Sequence, residues 1–146
     1  MSRVDDAAEL FRRGHACSQA VLLAFAPDYG LDPAQAARLA AGFAAGMRLG
    51  DVCGAATGAF MVLGLAVCGD DCVTREGRMP VAVAVGKFSE LFAARTGSLD
   101  CPDIIGCDLR TPEGMATARE DRLFATRCAP AVRAAAQILE DMLALG

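Results

Sequence analysis

Cysteine is the residue type in this sequence that offers the most chemistry. Seven cysteines occur among 146 residues, together with one histidine. Thiolates attack disulfides and oxidants, and they also bind soft metal ions. Because the number of cysteines is odd, at least one must stay unpaired within a monomer. In a reducing cytoplasm such a set indicates metal binding or redox chemistry rather than a disulfide scaffold.

Four of the cysteines share one feature, which is that each lies at or just before the start of a predicted helix. These four are Cys17, Cys53, Cys101 and Cys128. A helix start carries unpaired N–H groups and about half a positive charge, which stabilise a thiolate and lower its pKa. We therefore predict that the four cysteines converge on one reactive site. The alternative is that they are small apolar side chains that fill tight helix ends.

Capping residues, prolines and glycines locate the helices that would position these cysteines. Gly50 breaks the chain before Cys53, and a proline follows soon after Cys101 and Cys128. With the apolar periodicity, these signals divide the chain into about seven segments and a short turn. The predicted segments are Val4 to Arg13, Cys17 to Pro27, Pro33 to Met47, Cys53 to Val67, Met79 to Thr96, Cys101 to Ile105 (the short turn), Pro112 to Phe124, and Cys128 to about Leu145.

The composition favours an all-α protein. Helix formers such as Ala and Leu are abundant, Trp is absent and there is one Tyr. Short connections predict that neighbouring helices pack antiparallel, as in a bundle. We therefore expect a single domain over residues 1–146, built as a helical bundle of about six to seven helices. Gly54 and Gly58, like Gly42 and Gly46, are four residues apart and could form flat notches for close helix approach.

Charge and hydropathy limit the classes of partner. The formal net charge is −4 and no basic block occurs, which argues against nucleic acid and against an anionic membrane surface. The longest uncharged stretch runs from Val52 to Gly69, but it contains four glycines and no interfacial Trp or Tyr. We interpret it as a buried helix, without stable membrane insertion. No signal peptide is visible, so we expect a cytoplasmic protein.

The order of the four cysteines resembles a known family. Cys53 begins Cys-Gly-Ala-Ala-Thr-Gly, with Cys17 upstream and Cys101 and Cys128 downstream. This order resembles the C_GCAxxG_C_C family of proteins described as redox-active, and the likeness extends from about Ala7 to Leu143. The resemblance implies that these four cysteines form the site, with Gly54 and Gly58 as structural members of the motif. It implies no particular substrate or redox partner.

The other titratable residues are weaker candidates. Cys107 lies six residues after Cys101 and could join the site, in either chemistry. Cys68 and Cys72 have C-x3-C spacing, which fits a local disulfide, a second metal site or two unrelated loop cysteines. His15 could act as a base or ligand beside Cys17, although a lone histidine is more often only packed or solvated. Arg48, near Cys53, could stabilise a thiolate or bind an anion, or could simply pair with Asp51 at the surface.

Three hypotheses follow for the function. The first is thiol–disulfide chemistry, with Cys53 as the most reactive sulfur and Cys17 as its first-choice partner. The protein would then be comparable to a thiol–disulfide oxidoreductase, although the sequence does not decide whether it is an enzyme, what its redox partner is or how it assembles. The second is binding of zinc or an iron–sulfur cluster by Cys17, Cys53, Cys101 and Cys128, although their separations of 36, 48 and 27 residues differ from common motifs. The third is an interaction module whose cysteines only pack.

Overall fold

A computed structural model describes residues 2–143, and in this range the protein is all-α, as predicted. The helices are α1 Arg3–Arg12, α2 Cys17–Phe25, α3 Pro33–Ala40, α4 Gly54–Val67, α5 Arg75–Thr96, α6 Cys101–Ile105, α7 Pro112–Glu120 and α8 Ala129–Leu143. The eight helices of the described range include the short α6, which the sequence predicted as a turn. The predicted end of the last helix, near Leu145, lies outside the described residues.

Side-chain caps define where several helices begin. The side chains of Ser2, Asp32, Thr74 and Thr111 each accept a hydrogen bond from a backbone N–H in the first turn of the following helix. Such caps satisfy one of the N–H groups that a helix start leaves unpaired. The Thr74 cap explains why α5 begins four residues before Met79, the predicted start, and why Pro80 lies inside the helix.

Two predicted helices end earlier than expected. The third was predicted to reach Met47, but α3 ends at Ala40 and is followed by a single 3-10 turn, Ala41–Phe43. The seventh was predicted to reach Phe124, but α7 ends at Glu120, and Arg122 just beyond it has a positive φ of 56°. Since α3 ends at Ala40, Gly42 and Gly46 do not form a helix-packing notch, and no atom lies near the position of a Cβ on Gly42.

The core forms around α2, which packs against α1, α3, α4 and α8. Its largest fully buried side chains are Phe25, Phe88, Phe92, Leu22 and Leu63. Apolar side chains of this size supply most of the free energy that stabilises such a bundle. Among the described residues, no helix combines the length and the apolar character needed to cross a membrane.

The segment between α3 and α4 has an uncommon backbone. Residues 45–48 all have positive φ, and three of them, Ala45, Met47 and Arg48, are not glycine. The Asp51 N–H closes this turn with a 2.8 Å hydrogen bond to the Gly46 carbonyl oxygen. A left-handed turn costs roughly 1–2 kcal/mol per non-glycine residue, so the surrounding structure must hold it in place. It leads directly to Cys53.

Candidate functional site

The four predicted cysteines line one cavity of about 590 Å³. Cys53, Cys101 and Cys128 are buried and Cys17 is partly buried, and all four are free thiols. The cavity lies where the first turns of α2, α4 and α6 meet the start of α8 and the left-handed turn. Cavities of this size commonly hold a small molecule. The structure therefore brings together the cysteines that the sequence predicted to converge.

Gly54 and Gly58 bring α4 close to α2. A Cβ on Gly54 would lie 3.2 Å from the Cβ of Cys17, and a Cβ on Gly58 would lie 2.6 Å from the Ser18 carbonyl oxygen. Larger residues at these positions would therefore push α2 away. The buried Ser18 hydroxyl also donates a 2.7 Å hydrogen bond to the Ala40 carbonyl, which ties α2 to the end of α3. The notch predicted from the glycine spacing thus holds the start of α2 against the start of α4.

A short backbone pairing holds Cys53 beside Cys101. The Cys53 N–H donates to the Leu99 carbonyl at 2.7 Å, and the Cys101 N–H donates to the Asp51 carbonyl at 2.8 Å. Val52 and Asp100 form the antiparallel bridge between them. Two helix starts that are far apart in sequence are therefore fixed side by side by main-chain hydrogen bonds.

The left-handed turn forms part of the cavity wall. Ala45 and Arg48 line the cavity. A Cβ on Gly46 would lie 2.8 Å from the Cβ of Cys101 and 2.6 Å from the Asp51 nitrogen, so this position has no room for a side chain. The turn therefore packs directly against the first turn of α6.

Cys128 is positioned differently from the other three. It immediately precedes α8, as predicted, but a π-helical turn, Phe124–Cys128, runs into that helix. The Ala129 N–H is already bonded to the Phe124 carbonyl. A free helix start is therefore not available at this position, and the charge state of Cys128 must depend on other neighbours.

Cys17 is that neighbour. The neighbouring Cys17 thiol lowers the pKa of Cys128, against the opposing effect of burial. The Cys128 side chain is in turn the largest cause of the raised pKa of Cys17, followed by the removal of Cys17 from solvent and the nearby sulfurs. Of the two thiols, Cys128 therefore loses its proton more readily and Cys17 holds its proton more tightly.

The expectation that Cys53 has a lowered pKa is wrong. Hydrogen bonds from the N–H groups of Ala55 and Ala56 do lower its pKa, which is the predicted helix-start effect. Burial outweighs them and raises the pKa of Cys53 to about 11. Burial, followed by the neighbouring sulfurs Cys53 and Cys128, likewise raises the pKa of Cys101 to about 12. Both are neutral thiols at neutral pH, so Cys128 replaces Cys53 as the best candidate nucleophile.

The remaining cysteines lie in two places. Cys107 does not line the cavity, but it packs against the small apolar cluster that contains Cys101 and Cys128. Its partial burial, with Cys128 nearby, raises its pKa. Cys68 and Cys72, between α4 and α5, form a disulfide. Of the alternatives for that pair, the structure therefore supports the local disulfide.

The sequence missed several residues that line the cavity. The apolar ones include Phe11, Ile104, Leu109, Met115 and Phe124, and the charged ones are Arg12 and Arg119; Arg48, which also lines the cavity, was a candidate from the sequence. Apolar residues on amphipathic helices look alike in sequence whether they face a core or a cavity. His15 also lines the cavity, with its Nδ1 3.0 Å from the Leu10 carbonyl oxygen. That contact requires a proton on Nδ1, which leaves Nε2 available as an acceptor when the ring is neutral.

The metal hypothesis requires a preformed set of ligands. Between residues 2 and 143, no group of three or more His, Cys, Asp or Glu side chains is arranged to hold a metal ion. The four thiols share a cavity without forming the tetrahedral sulfur set that zinc prefers. The residues as arranged therefore do not fit zinc or an iron–sulfur cluster, and metal binding stays an untested hypothesis.

Comparison with known proteins identifies the family of this chain. Residues 15–142 match the family described as "Putative redox-active protein (C_GCAxxG_C_C)". Since this match covers most of the chain, the protein belongs to that family. No curated protein matches the sequence, and no solved structure does so either.

Proposed function

We propose that this protein carries out thiol–disulfide chemistry in the four-cysteine cavity, with Cys128 as the attacking sulfur and Cys17 as the resolving sulfur. The observation that carries the proposal is the placement of both cysteines in one cavity, where the neighbouring Cys17 thiol lowers the pKa of Cys128. Family membership supports redox chemistry in general terms. The proposal keeps the cytoplasmic location expected from the sequence, where thiols are held reduced.

The reaction proceeds in two displacements. The Cys128 thiolate attacks one sulfur of a disulfide substrate, a mixed disulfide forms and the first substrate thiolate leaves. Cys17 then loses its proton and attacks Cys128 Sγ, which releases the second substrate thiolate. The proton from Cys17 and one from solvent convert the two leaving thiolates to thiols. In balance, one substrate disulfide is reduced and Cys17 and Cys128 are oxidised to a disulfide.

Cys53 and Cys101 have a different place in the proposal. As buried neutral thiols, they are poor nucleophiles at neutral pH but lie along the same cavity. We propose that they can accept the disulfide by exchange when their protons are removed. The pairing between Cys17 and Cys128 replaces the sequence-based expectation that Cys17 pairs with Cys53.

The test is to map disulfides by mass spectrometry after the reduced, folded protein has been oxidised with a small neutral disulfide, bis(2-hydroxyethyl) disulfide. We expect a bond between Cys17 and Cys128, and we expect C17S to accumulate a mixed disulfide on Cys128. C107S is the matched control, because Cys107 lies outside the cavity lining and its loss should change neither result. If the folded protein forms no disulfide among Cys17, Cys53, Cys101 and Cys128, the proposal is wrong.

A further inference from the structure

Apart from the proposed Cys128 thiolate, the charged side chains that line the cavity are all of one sign. Three arginines, Arg12, Arg48 and Arg119, line it, and no carboxylate does so among the described residues. The chain as a whole has the opposite bias, with 18 acidic and 14 basic side chains. A concave site lined by one sign of charge concentrates ligands of the other sign. The cavity therefore favours an anion although the protein itself is acidic.

The three arginines are not equally available. Arg12 is paired with Glu9, with a distance of 2.6 Å between Nη2 and Oε1. Within the described part of the chain, no ion pair engages Arg48 or Arg119. Arg48 donates only to the Ala41 carbonyl, at 3.1 Å, which orients its side chain without neutralising its charge. Arg48 and Arg119 thus keep full positive charges at the cavity.

The size and walls of the cavity limit the ligand further. About 590 Å³ suits a small molecule, whereas a protein partner needs a wider surface. Apolar side chains such as Phe11, Leu109 and Phe124 supply much of the wall, and the thiols line the same space. A ligand that fills this space would place an apolar or sulfur-containing part against the walls and its charged ends at the arginines. Guanidinium groups bind carboxylates well because their donors match the two carboxylate oxygens.

We propose that the substrate of this site is a small disulfide that carries carboxylate groups, and that Arg48 and Arg119 bind those carboxylates. This inference rests on the proposed thiol–disulfide function. One substrate sulfur receives the attack of Cys128, the substrate disulfide bond breaks, and Cys17 completes the exchange as described above. The arginines take no part in the electron transfer and act only by holding the ligand.

The test compares three probes of different charge, namely oxidised glutathione (anionic), bis(2-hydroxyethyl) disulfide (neutral) and cystamine (cationic). Single-turnover oxidation of the reduced protein is measured for the wild type and for R48Q/R119Q. Because each probe is compared with itself, differences in intrinsic reactivity cancel. We expect the R48Q/R119Q variant to be oxidised more slowly by oxidised glutathione, by roughly threefold to tenfold for each arginine lost. Its rate of oxidation by the neutral probe should be unchanged, and its rate with cystamine should rise.

Matched variants separate charge from folding. R48K keeps a positive charge and should retain the preference for the anionic probe. R119Q removes only the exposed arginine on α7, so it measures the contribution of that position by itself. R95Q, which removes an exposed arginine that does not line the cavity, should leave all three rates unchanged. Of the three oxidation rates, raised salt should slow only the rate with oxidised glutathione.

The outcomes distinguish this inference from the proposed function. Equal effects of R48Q/R119Q on all three probes, or no effect, would overturn the inference while leaving the thiol chemistry intact. The same holds if the protein reacts with a protein disulfide such as insulin and with none of the small probes. If no disulfide of any kind oxidises Cys17 and Cys128, the proposed function fails and the inference fails with it.

Discussion

Cys17, at the first position of α2, and Cys128, which immediately precedes α8, line the same cavity, where the Cys17 thiol lowers the pKa of Cys128. This arrangement joins two helix ends separated by 111 residues of sequence. It also favours Cys128 as the sulfur that ionises first, because the pKa of Cys128 is lowered while that of Cys17 is raised. The chemistry of the site therefore depends on a tertiary contact more than on any single helix start.

The first prediction concerns the effect of the Cys17 side chain on the pKa of Cys128. In C17A the donor is lost and burial alone acts on Cys128, so its pKa should rise and its alkylation by iodoacetamide at neutral pH should slow several-fold. C17S keeps a hydroxyl donor and should retain most of the wild-type rate. The rate is measured for Cys128 alone, by mass spectrometry of the labelled peptide. Equal rates in C17A and C17S would show that the donor does not control Cys128.

The second prediction concerns pH and stability. Burial raises the folded-state pKa of Cys53 to about 11 from the ordinary thiol value of 9.0, so the folded protein holds this proton more tightly than the unfolded chain. The stabilising effect is complete below pH 9 and is lost as the pH rises toward 11. Under reducing conditions, the free energy of unfolding should fall by about 2 kcal/mol from this group between about pH 8 and about pH 10.5.

Urea denaturation of the wild type and of C53A measures this effect, with the difference in pH dependence as the result. Other groups titrate in the same range, but they are common to both proteins and cancel in the comparison. C53A should therefore lose less stability than the wild type as the pH rises. Parallel curves for the two proteins would mean that Cys53 is not a buried neutral thiol.

The sequence predicted the location of the site better than its chemistry. Prolines, glycines and capping residues mark helix starts locally, so the placement of Cys17, Cys53 and Cys101 could be inferred. Burial is set by residues distant in sequence, and the sequence alone could not show that desolvation exceeds the helix-start effect at Cys53. The sequence also could not predict that α3 ends at Ala40. Residues 41–47 are mostly helix formers, and the left-handed turn overrides their local preference.

The third prediction concerns the glycine notch between α2 and α4. G58A would place a Cβ 2.6 Å from the Ser18 carbonyl oxygen, so α2 must shift, and the protein should lose roughly 1–3 kcal/mol of stability. The shift should also slow formation of the disulfide between Cys17 and Cys128. G64A, on the same helix, is the matched control, because no atom lies within 4 Å of its Cβ position.

G64A should raise the free energy of unfolding by roughly 0.5–1 kcal/mol, since alanine is a better helix former than glycine. Chemical denaturation and disulfide mapping of both variants provide the two measurements. If G58A is as stable as the wild type and its disulfide forms at the same rate, the close approach at Ser18 is not what positions Cys17.

The last prediction concerns the left-handed turn before Cys53. Ala45 has a φ of 53° and a ψ of 43°, a conformation that glycine adopts without steric cost. A45G should therefore stabilise the protein by up to about 1 kcal/mol, even though glycine substitutions elsewhere usually destabilise. G46A is the opposite control, because its Cβ would lie 2.6 Å from the Asp51 nitrogen and 2.8 Å from the Cys101 Cβ. It should destabilise the protein and displace Cys101, which thiol alkylation would detect as faster labelling. A loss of stability in A45G would mean that residues 45–48 do not adopt this left-handed turn. They would then not form the cavity wall in the way described above.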